Sequence, residues 1–489
     1  MTWRVGRNPA GQAGRPTLLA GLVLALAAPV LALGGEGLQL HDHWAGYACL
    51  AIFTVAYGVV MAEEALHLKK SVPVLVAAGI LWGLLGLAAA RSGHSELAEQ
   101  AVRHYLLEFV ELFLFLLSAM TFINTMEERG VFARVRDWLI SRRLSLRALF
   151  WLTGLLAFLL SPVADNLTTA LLMGAVLLAV GGQYPRFSSV GCINIVVAAN
   201  AGGAFSPFGD ITTLMVWQKG LVTFTEFFAL FLPSLVNWLV PAALMVLAVE
   251  SAVPEAVEGE GAILKPGALA IVALFLLTIV AAVTFHASLG LPPVLGMLLG
   301  LGMLKLYGYW LTLDWKRPAL AHDAGVNEPD DLFAEVECEP HPRGVDIFKI
   351  LERAEWDTLM FFCGVILCVG ALGTLGYLEL ASRATYGALG PTLANVLVGL
   401  ASALVDNIPV MVAVLSMQPD MSHGQWLLVT LTAGVGGSIL SIGSAAGVAL
   451  MGQARGLYTF GSHLRWSWAV ALGYAASILV HMLVNRSHF

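Results

Sequence analysis

From residue 17 to residue 485 the chain is a succession of apolar runs separated by short polar breaks. Most runs are roughly 17–25 residues long, the length of a helix that crosses a ~30 Å hydrocarbon core. Inside lipid every backbone amide and carbonyl must be satisfied by the protein, so a spanning chain is either helical or a closed barrel. The ~10-residue alternating segments of a barrel do not occur in this sequence, which leaves helices. Composition agrees: 58% of residues are hydrophobic and 12% charged, against ~25% charged in soluble domains. The expected fold is an all-α integral membrane protein with the lipid bilayer as its partner. The net charge of -7 adds little, because the distribution of charge matters more than its total.

The runs lie near 17–34, 45–62, 72–90, 105–126, 148–182, 188–220, 226–250, 267–285, 288–308, 357–378, 391–416, 426–456 and 466–485. The first follows Arg4, Arg7 and Arg15 and ends in Ala-Leu-Gly-Gly, which fits a signal peptide as well as a first span; a retained span is adopted. The run 148–182 is too long for one crossing and is interrupted by Ser161-Pro162 and Asp165-Asn166, so it reads as a re-entrant hairpin. The run 188–220 contains Asn200-Ala-Gly-Gly-Ala-Phe-Ser-Pro-Phe-Gly-Asp210, whose glycines and proline unwind a helix at its centre. The runs 391–416 and 426–456 show the same two peculiarities. The expected architecture is about eleven transmembrane helices plus two re-entrant hairpins. With the N-terminus in the cytoplasm, only Arg91, Arg103, Lys219, Arg383 and Arg486 of the 26 Lys and Arg residues lie outside. That asymmetry is the positive-inside rule, and it accounts for the arginine-rich piece 129–147 better than a nucleic-acid contact does.

Three landmarks recur in order. Glu111 and Asp357 each begin an apolar span and each is followed 19 residues later by a glycine, Gly130 and Gly376. Ser161-x-x-x-Asp165-Asn166 matches Ser402-x-x-x-Asp406-Asn407, and Gly202-Gly203-x5-Gly209-Asp210 matches Gly436-Gly437-x5-Gly443-Ser444. The topology runs the Glu111 and Asp357 spans in opposite directions, so these are two inverted-topology repeats with interrupted helices. The domains are then 1–104, N-terminal helices; 105–250, first repeat; 251–356, connecting helices and a cytoplasmic acidic linker (Glu328, Asp330, Asp331, Glu335, Glu337, Glu339); and 357–489, second repeat. Residues 345–353 have the apolar spacing of a helix lying on the membrane surface.

Inverted repeats with broken helices point to a secondary transporter whose site lies near the midplane. A carboxylate there costs about 2.5–3.5 kcal/mol even on the insertion scale. Asp165, Asp210 and Asp406 together would cost roughly 8–10 kcal/mol if unpaired, and the broken segments carry Lys219 and Arg455 only at their ends. A bound cation can cancel that charge, or a proton can remove it. A site that takes one or the other is a cation/proton exchanger, with Na+ expected at Asp165, Asn166, Asp406 and Asn407.

Five stretches carry a family resemblance: EEALHLKKSVPV (63–74), SPVADNLTTALLM (161–173), NIVVAANAGGAFSPFGDITTLMVWQKG (194–220), ALVDNIPVMVAVL (403–415) and GVGGSILSIGSAAGVALMGQARG (434–456). They resemble the NhaD-type sodium/proton antiporters, relatives of arsenite permeases and dicarboxylate transporters. The resemblance implies exchange of Na+ or Li+ for protons in pH homeostasis, a multi-pass protein of the bacterial inner membrane, a homodimer, and no cofactor. It implies a first half-site of Asp165, Asn166, Asn200, Asp210, Thr212 and Thr213, and a second of Ser402, Asp406, Asn407, Ser441 and Ser444. Glu111 and Asp357 would be supporting acids. Where the first repeat has Asp210 the second has Ser444, so the half-sites are unequal.

Two other classes compete. An ion-coupled anion transporter for arsenite or dicarboxylates shares the architecture, but aspartates at both tips repel an anion. An intramembrane aspartyl protease could use Asp165 and Asp406 as a proton-sharing dyad, but no Gly-x-Gly-Asp is present and the repeat would be unexplained; an enzyme is not expected. The five cysteines form no C-x-x-C pair and read as small buried hydrophobes. Glu63-Glu64, near His67, reads as a solvated helix end, and His286 and His481 as satisfied side chains.

Overall fold

A computed structural model describes residues 41–66, 68–142, 144–253, 263–323 and 352–489. The first apolar run, His67, Cys338, the acidic stretch and most of the surface helix lie outside the described residues, which contain helices and connections and no strand. Among them nine helices are long and apolar enough to cross a membrane, or up to ten if one bent pair counts as a span. Eight coincide with expected spans; the ninth, Leu146–Ala164, is one limb of the expected first hairpin. The count of eleven is not reproduced, partly because the runs 188–220 and 426–456 are each split into shorter helices.

The chain divides into two compact units, each discontinuous in sequence. The first is built on α1 (Trp44–Met61), followed by a single turn, α2 (Glu63–Leu66), then α3 (Ser71–Arg91) and the start of α4 (Ser95–Glu128). Much of its core is made of small residues: Cys49, Ala77, Ala78, Ala89, Cys368 and Ala371 sit among Leu81, Leu85 and Leu372. Without a hydrophobic drive between helices in lipid, small side chains let backbones approach and polar groups bond across. Trp82 Nε1 donates to the Leu367 carbonyl at 2.9 Å and Cys368 Sγ to that of Val74 at 3.5 Å. Cys49, Cys192, Cys363 and Cys368 are free thiols.

The second unit holds α5 (Val131–Ile140), α6 (Leu146–Ala164), α7 (Asn166–Gly181), α8 (Pro185–Gly203), α9 (Ile211–Gln218), α10 (Phe231–Met245), α11 (Ala268–Leu289) and α12 (Val294–Asp323). After α13 (Trp356–Thr374) and α14 (Tyr377–Ser382) of the first unit come α15 (Pro391–Ser402) and α16 (Asn407–Met417), whose residues are divided between the units, and then α17 (His423–Gly436), α18 (Ala445–Gln453), α19 (Phe460–Leu464) and α20 (Ser467–Val484) of the second. Burial sorts them. On α11 one stripe is buried (Ala268, Ile271, Phe275, Thr278, Ala282) while Leu269, Leu276, Leu277 and Val280 are exposed, the pattern of a helix with one face turned to lipid. In contrast, every residue from Val190 to Asp210 and from Gly424 to Ser438 is buried. The two broken helices are the centre of this unit. Asn194 ties α8 to its neighbours, donating to the Phe150 carbonyl and accepting from Trp238 Nε1, both at 2.8 Å.

The matched motifs of the two halves make matched contacts. Gly130 and Gly376 both have positive φ, 78° and 98°, and both start the next helix. Ser161 Oγ donates to the Ala199 carbonyl at 2.6 Å, and Ser402 Oγ to that of Ala433 at 2.8 Å. A Cβ on Gly202 would strike the Phe158 carbonyl oxygen, and one on Gly436 that of Gly399. A Cβ on Gly209 would lie 2.8 Å from the Ser161 oxygen, and one on Gly443 2.6 Å from the Ser402 oxygen. Each glycine therefore seats a helix break against the backbone of α6 or α15. Overpacking of this kind costs ~1–3 kcal/mol. Gly202→Ala should lower the melting temperature of the detergent-purified protein by several degrees. Gly83→Ala, whose new methyl meets nothing within 4 Å, should leave it unchanged or raise it.

Candidate functional site

The sequence places its acids at helix breaks, and the breaks determine what each acid can do. Asp165 closes α6 and opens α7 with φ 56° and ψ 163°. That conformation is costly for a residue with a Cβ. The side chain offsets the cost by capping α7, accepting from Thr168 N at 2.7 Å and Thr168 Oγ1 at 3.0 Å. Its neighbour Asn166 is pinned by its own amide, which donates to the Gly209 carbonyl at 3.1 Å. This bond joins the tip of the α6–α7 break to the break between α8 and α9.

Asp210 is the hub. It caps α9, and its Oδ1 accepts from Thr212 N and Thr212 Oγ1, both at 2.9 Å. Its Oδ2 accepts from Asn166 Nδ2 at 3.2 Å, and Asn407 Nδ2 reaches Oδ1 at 3.3 Å and Oδ2 at 3.1 Å. An ionised carboxylate only accepts, so both asparagines must present their amide hydrogens. Asn166 Nδ2 also donates to Asn200 Oδ1 at 3.1 Å, and Asn200 Nδ2 donates to Ser438 Oγ at 2.7 Å and Ser444 Oγ at 2.9 Å. Asn200 is fully buried, and Asp210 and Asn407 are each 4% exposed. The Asp-Asn breaks of both repeats thus meet on one carboxylate, through the asparagines. Asp210 also sits at the positive end of α9, which favours its charge.

The other sequence candidates fall around this hub. Ser444 caps α18 with φ −142° and ψ 147°, the same conformation in which Asp210 caps α9, φ −144° and ψ 139°. Thr213 Oγ1 is buried with no hydrogen-bond partner among the described residues. Asp406 lies in the break before α16, next to Asn407. Ser402 is committed to its bond with Ala433, and Ser441 is buried in the α17–α18 break. Asp165 bonds neither asparagine; its side chain is held by Thr168. Glu111 is partly buried on α4. Asp357 belongs to the first compact unit, where it accepts from Ser71 Oγ. His481 is buried against the Gly424 carbonyl at 3.0 Å, and His286 lies 3.4 Å from that of Leu291.

Several residues escaped the sequence reading. Ser438 accepts from Asn200, and its place two residues after Gly436 was the available signal. Thr169, three residues beyond Asn166 on the same face of α7, has a buried and unpartnered hydroxyl. His463 Nε2 faces the Ser438 carbonyl at 2.9 Å and must donate, so Nδ1 accepts from Tyr458 Oη at 2.7 Å. This pair holds the second break in place from outside the motif, where no local pattern announces it.

A buried anionic hub joining two broken helices, inside an all-helical membrane fold, defines an ion-handling membrane transporter. A citrate-transporter family model matches residues 23–434. The Na(+)/H(+) antiporter NhaD of Alkalimonas amylolytica is 54% identical over 477 residues, 96% of this chain and 97% of the relative. That of Vibrio cholerae is 55% identical over 455 residues, 93% and 95% of the two chains. Sodium/proton antiporter 1 of Arabidopsis thaliana is 32% identical over 481 residues, 96% of this chain and 78% of the relative. The chain belongs to the NhaD-type sodium/proton antiporter family.

Asn200→Leu removes three side-chain bonds at a buried position and leaves the Ser438 hydroxyl without the amide that donates to it. At ~1–3 kcal/mol for an unsatisfied buried group, it should lower thermal stability clearly more than Ser438→Ala does, measured by melting in detergent.

Proposed function

We propose that the protein exchanges Na+ or Li+ for protons across the bacterial inner membrane, with Asp210 as the central carboxylate. One observation carries the reading: all of Asp210's hydrogen-bond partners (Thr212, Asn166 and Asn407) are neutral. Dipoles can orient around a charge but cannot cancel it. In an apolar interior the remaining charge is balanced by a cation or removed by a proton. A protonated carboxyl loses acceptor capacity, so the asparagine donors that gather on the ionised form are no longer matched. A cation displaces those amide hydrogens, and each amide turns its oxygen inward to replace water around the ion. Because both ligands use the same carboxylate, binding of one expels the other.

In this reading Asp165 and Asp406, at the two Asp-Asn breaks, modulate the competition by their own charge. Alternating exposure follows from the two repeats moving their hairpins and broken helices in opposite senses. The resemblance that suggests Li+ as an alternative ion also suggests a homodimer. The match to a citrate-transporter model keeps anion uptake as the alternative. However, five donor contacts converge here on a carboxylate of the protein itself, which leaves an incoming anion facing like charge.

The test is dequenching of a pH-sensitive dye in inverted vesicles from cells lacking their own antiporters. With an acid interior, NaCl or LiCl should trigger proton efflux and KCl should not. Asp210→Asn, Asp165→Asn and Asp406→Asn should each reduce that efflux to background with unchanged abundance in the membrane. No response from the inserted wild-type protein at any pH, together with uptake of radiolabelled citrate or dicarboxylate, would replace the antiporter by an anion carrier.

A further inference from the structure

The two broken helices interlock through corresponding positions, and at one of them, Gly434, there is no side chain. Counted from the glycine pairs, Asn200 corresponds to Gly434, Ala204 to Ser438, and Asp210 to Ser444. In one direction the junction is spanned by a side chain: Asn200 reaches across to Ser438 Oγ at 2.7 Å and to Ser444 Oγ at 2.9 Å. In the other direction Gly434 faces the counterparts of those serines. A Cβ built on it would lie 3.4 Å from the Ala204 Cβ and 3.7 Å from Asp210 Oδ2. The same contact is therefore made twice, once by a carboxamide meeting hydroxyls and once by a bare backbone meeting a carboxylate.

The difference is chemical as well as steric. An asparagine at position 434 would carry an NH2 group toward Asp210, as Asn200 carries one toward Ser444. A permanent donor there would compete with any exchangeable ligand of the carboxylate. Glycine costs helix stability in the interior of α17, and a Cβ at 434 meets only ordinary van der Waals contact. Packing at the Cβ thus does not require glycine at this position, unlike at Gly436.

We propose that Gly434 is a selectivity-determining position of the ion site: its missing side chain leaves, on the Oδ2 side of Asp210, the space that the transported cation occupies. The proposal rests on the antiporter reading and deepens it by placing the cation off the axis relating the two repeats. Ser444, a neutral hydroxyl bonded by Asn200, then marks the side of the junction that takes no cation.

The experiment uses the full chain in inverted vesicles, with NaCl and LiCl concentration series on wild type, Gly434→Ala and Gly434→Asn. Alanine fits the space at its Cβ and favours the helix, so it tests the site without challenging the fold. The expected result for Gly434→Ala is at least a fivefold rise in the half-maximal Na+ concentration, a smaller rise for the smaller Li+, and a maximal rate within twofold of wild type. Gly434→Asn should raise both half-maximal concentrations more than tenfold at unchanged abundance. Unchanged half-maximal concentrations in Gly434→Ala, a fall in its maximal rate alone, or an equal shift for both ions overturns the assignment. If wild type itself shows no cation-triggered efflux, the antiporter reading fails and the assignment fails with it; normal wild-type exchange with unaltered variants sinks the assignment alone.

Discussion

Asp210 is a carboxylate buried inside a membrane protein, and among the described residues its bonded surroundings hold amides, a hydroxyl and a helix start, with no cationic side chain. Much of the second compact unit is arranged to make that tolerable. The α8–α9 break frees a helix N-terminus at Asp210, and the breaks at Asp165 and Asp406 deliver Asn166 and Asn407. Asn200 fixes the orientation of Asn166 by accepting its second amide hydrogen. Removing charge from water without supplying an opposite charge leaves a group whose state depends on what arrives from solution. That dependence is the physical basis of the proposed exchange.

The breaks are held by close backbone approach. Gly202, Gly209, Gly436 and Gly443 each bring a backbone segment within a distance that any side chain would prohibit. The breaks are therefore packed structures, continuous with α8 and α17, which are buried through most of their length. The repeat supplies this geometry twice, while Ser444 in place of Asp210 and Gly434 in place of Asn200 put a carboxylate at only one of the two corresponding helix starts.

Legibility in the sequence followed the range of the interactions. The helical breaks were readable because glycine, proline and Asp-Asn act on the local backbone. Asp165 and Asp210 do cap α7 and α9, as short polar side chains at helix starts do. The repeat was readable as spacing. Less legible was the ranking of the acids: by pattern Asp165 and Asp406 looked central, yet the side chain of Asp165 is committed to Thr168 and Asp210 takes the asparagines. His463 and Tyr458 were illegible, because their contact with Ser438 depends on how α19 folds back.

By itself the sequence determined the environment, the helical class and the places where helices must stop. Those outcomes follow from hydropathy over ~20 residues and from backbone sterics over two or three. Only the tertiary structure decided which carboxylate is the hub and which way each amide faces. Those depend on bonds between residues far apart in the chain: Asn166 to Asp210, Asn407 to Asp210 and Asn200 to Ser444. An asparagine carries a donor and an acceptor at one end of the same side chain, and which of them it offers is settled by the partner the fold puts before it.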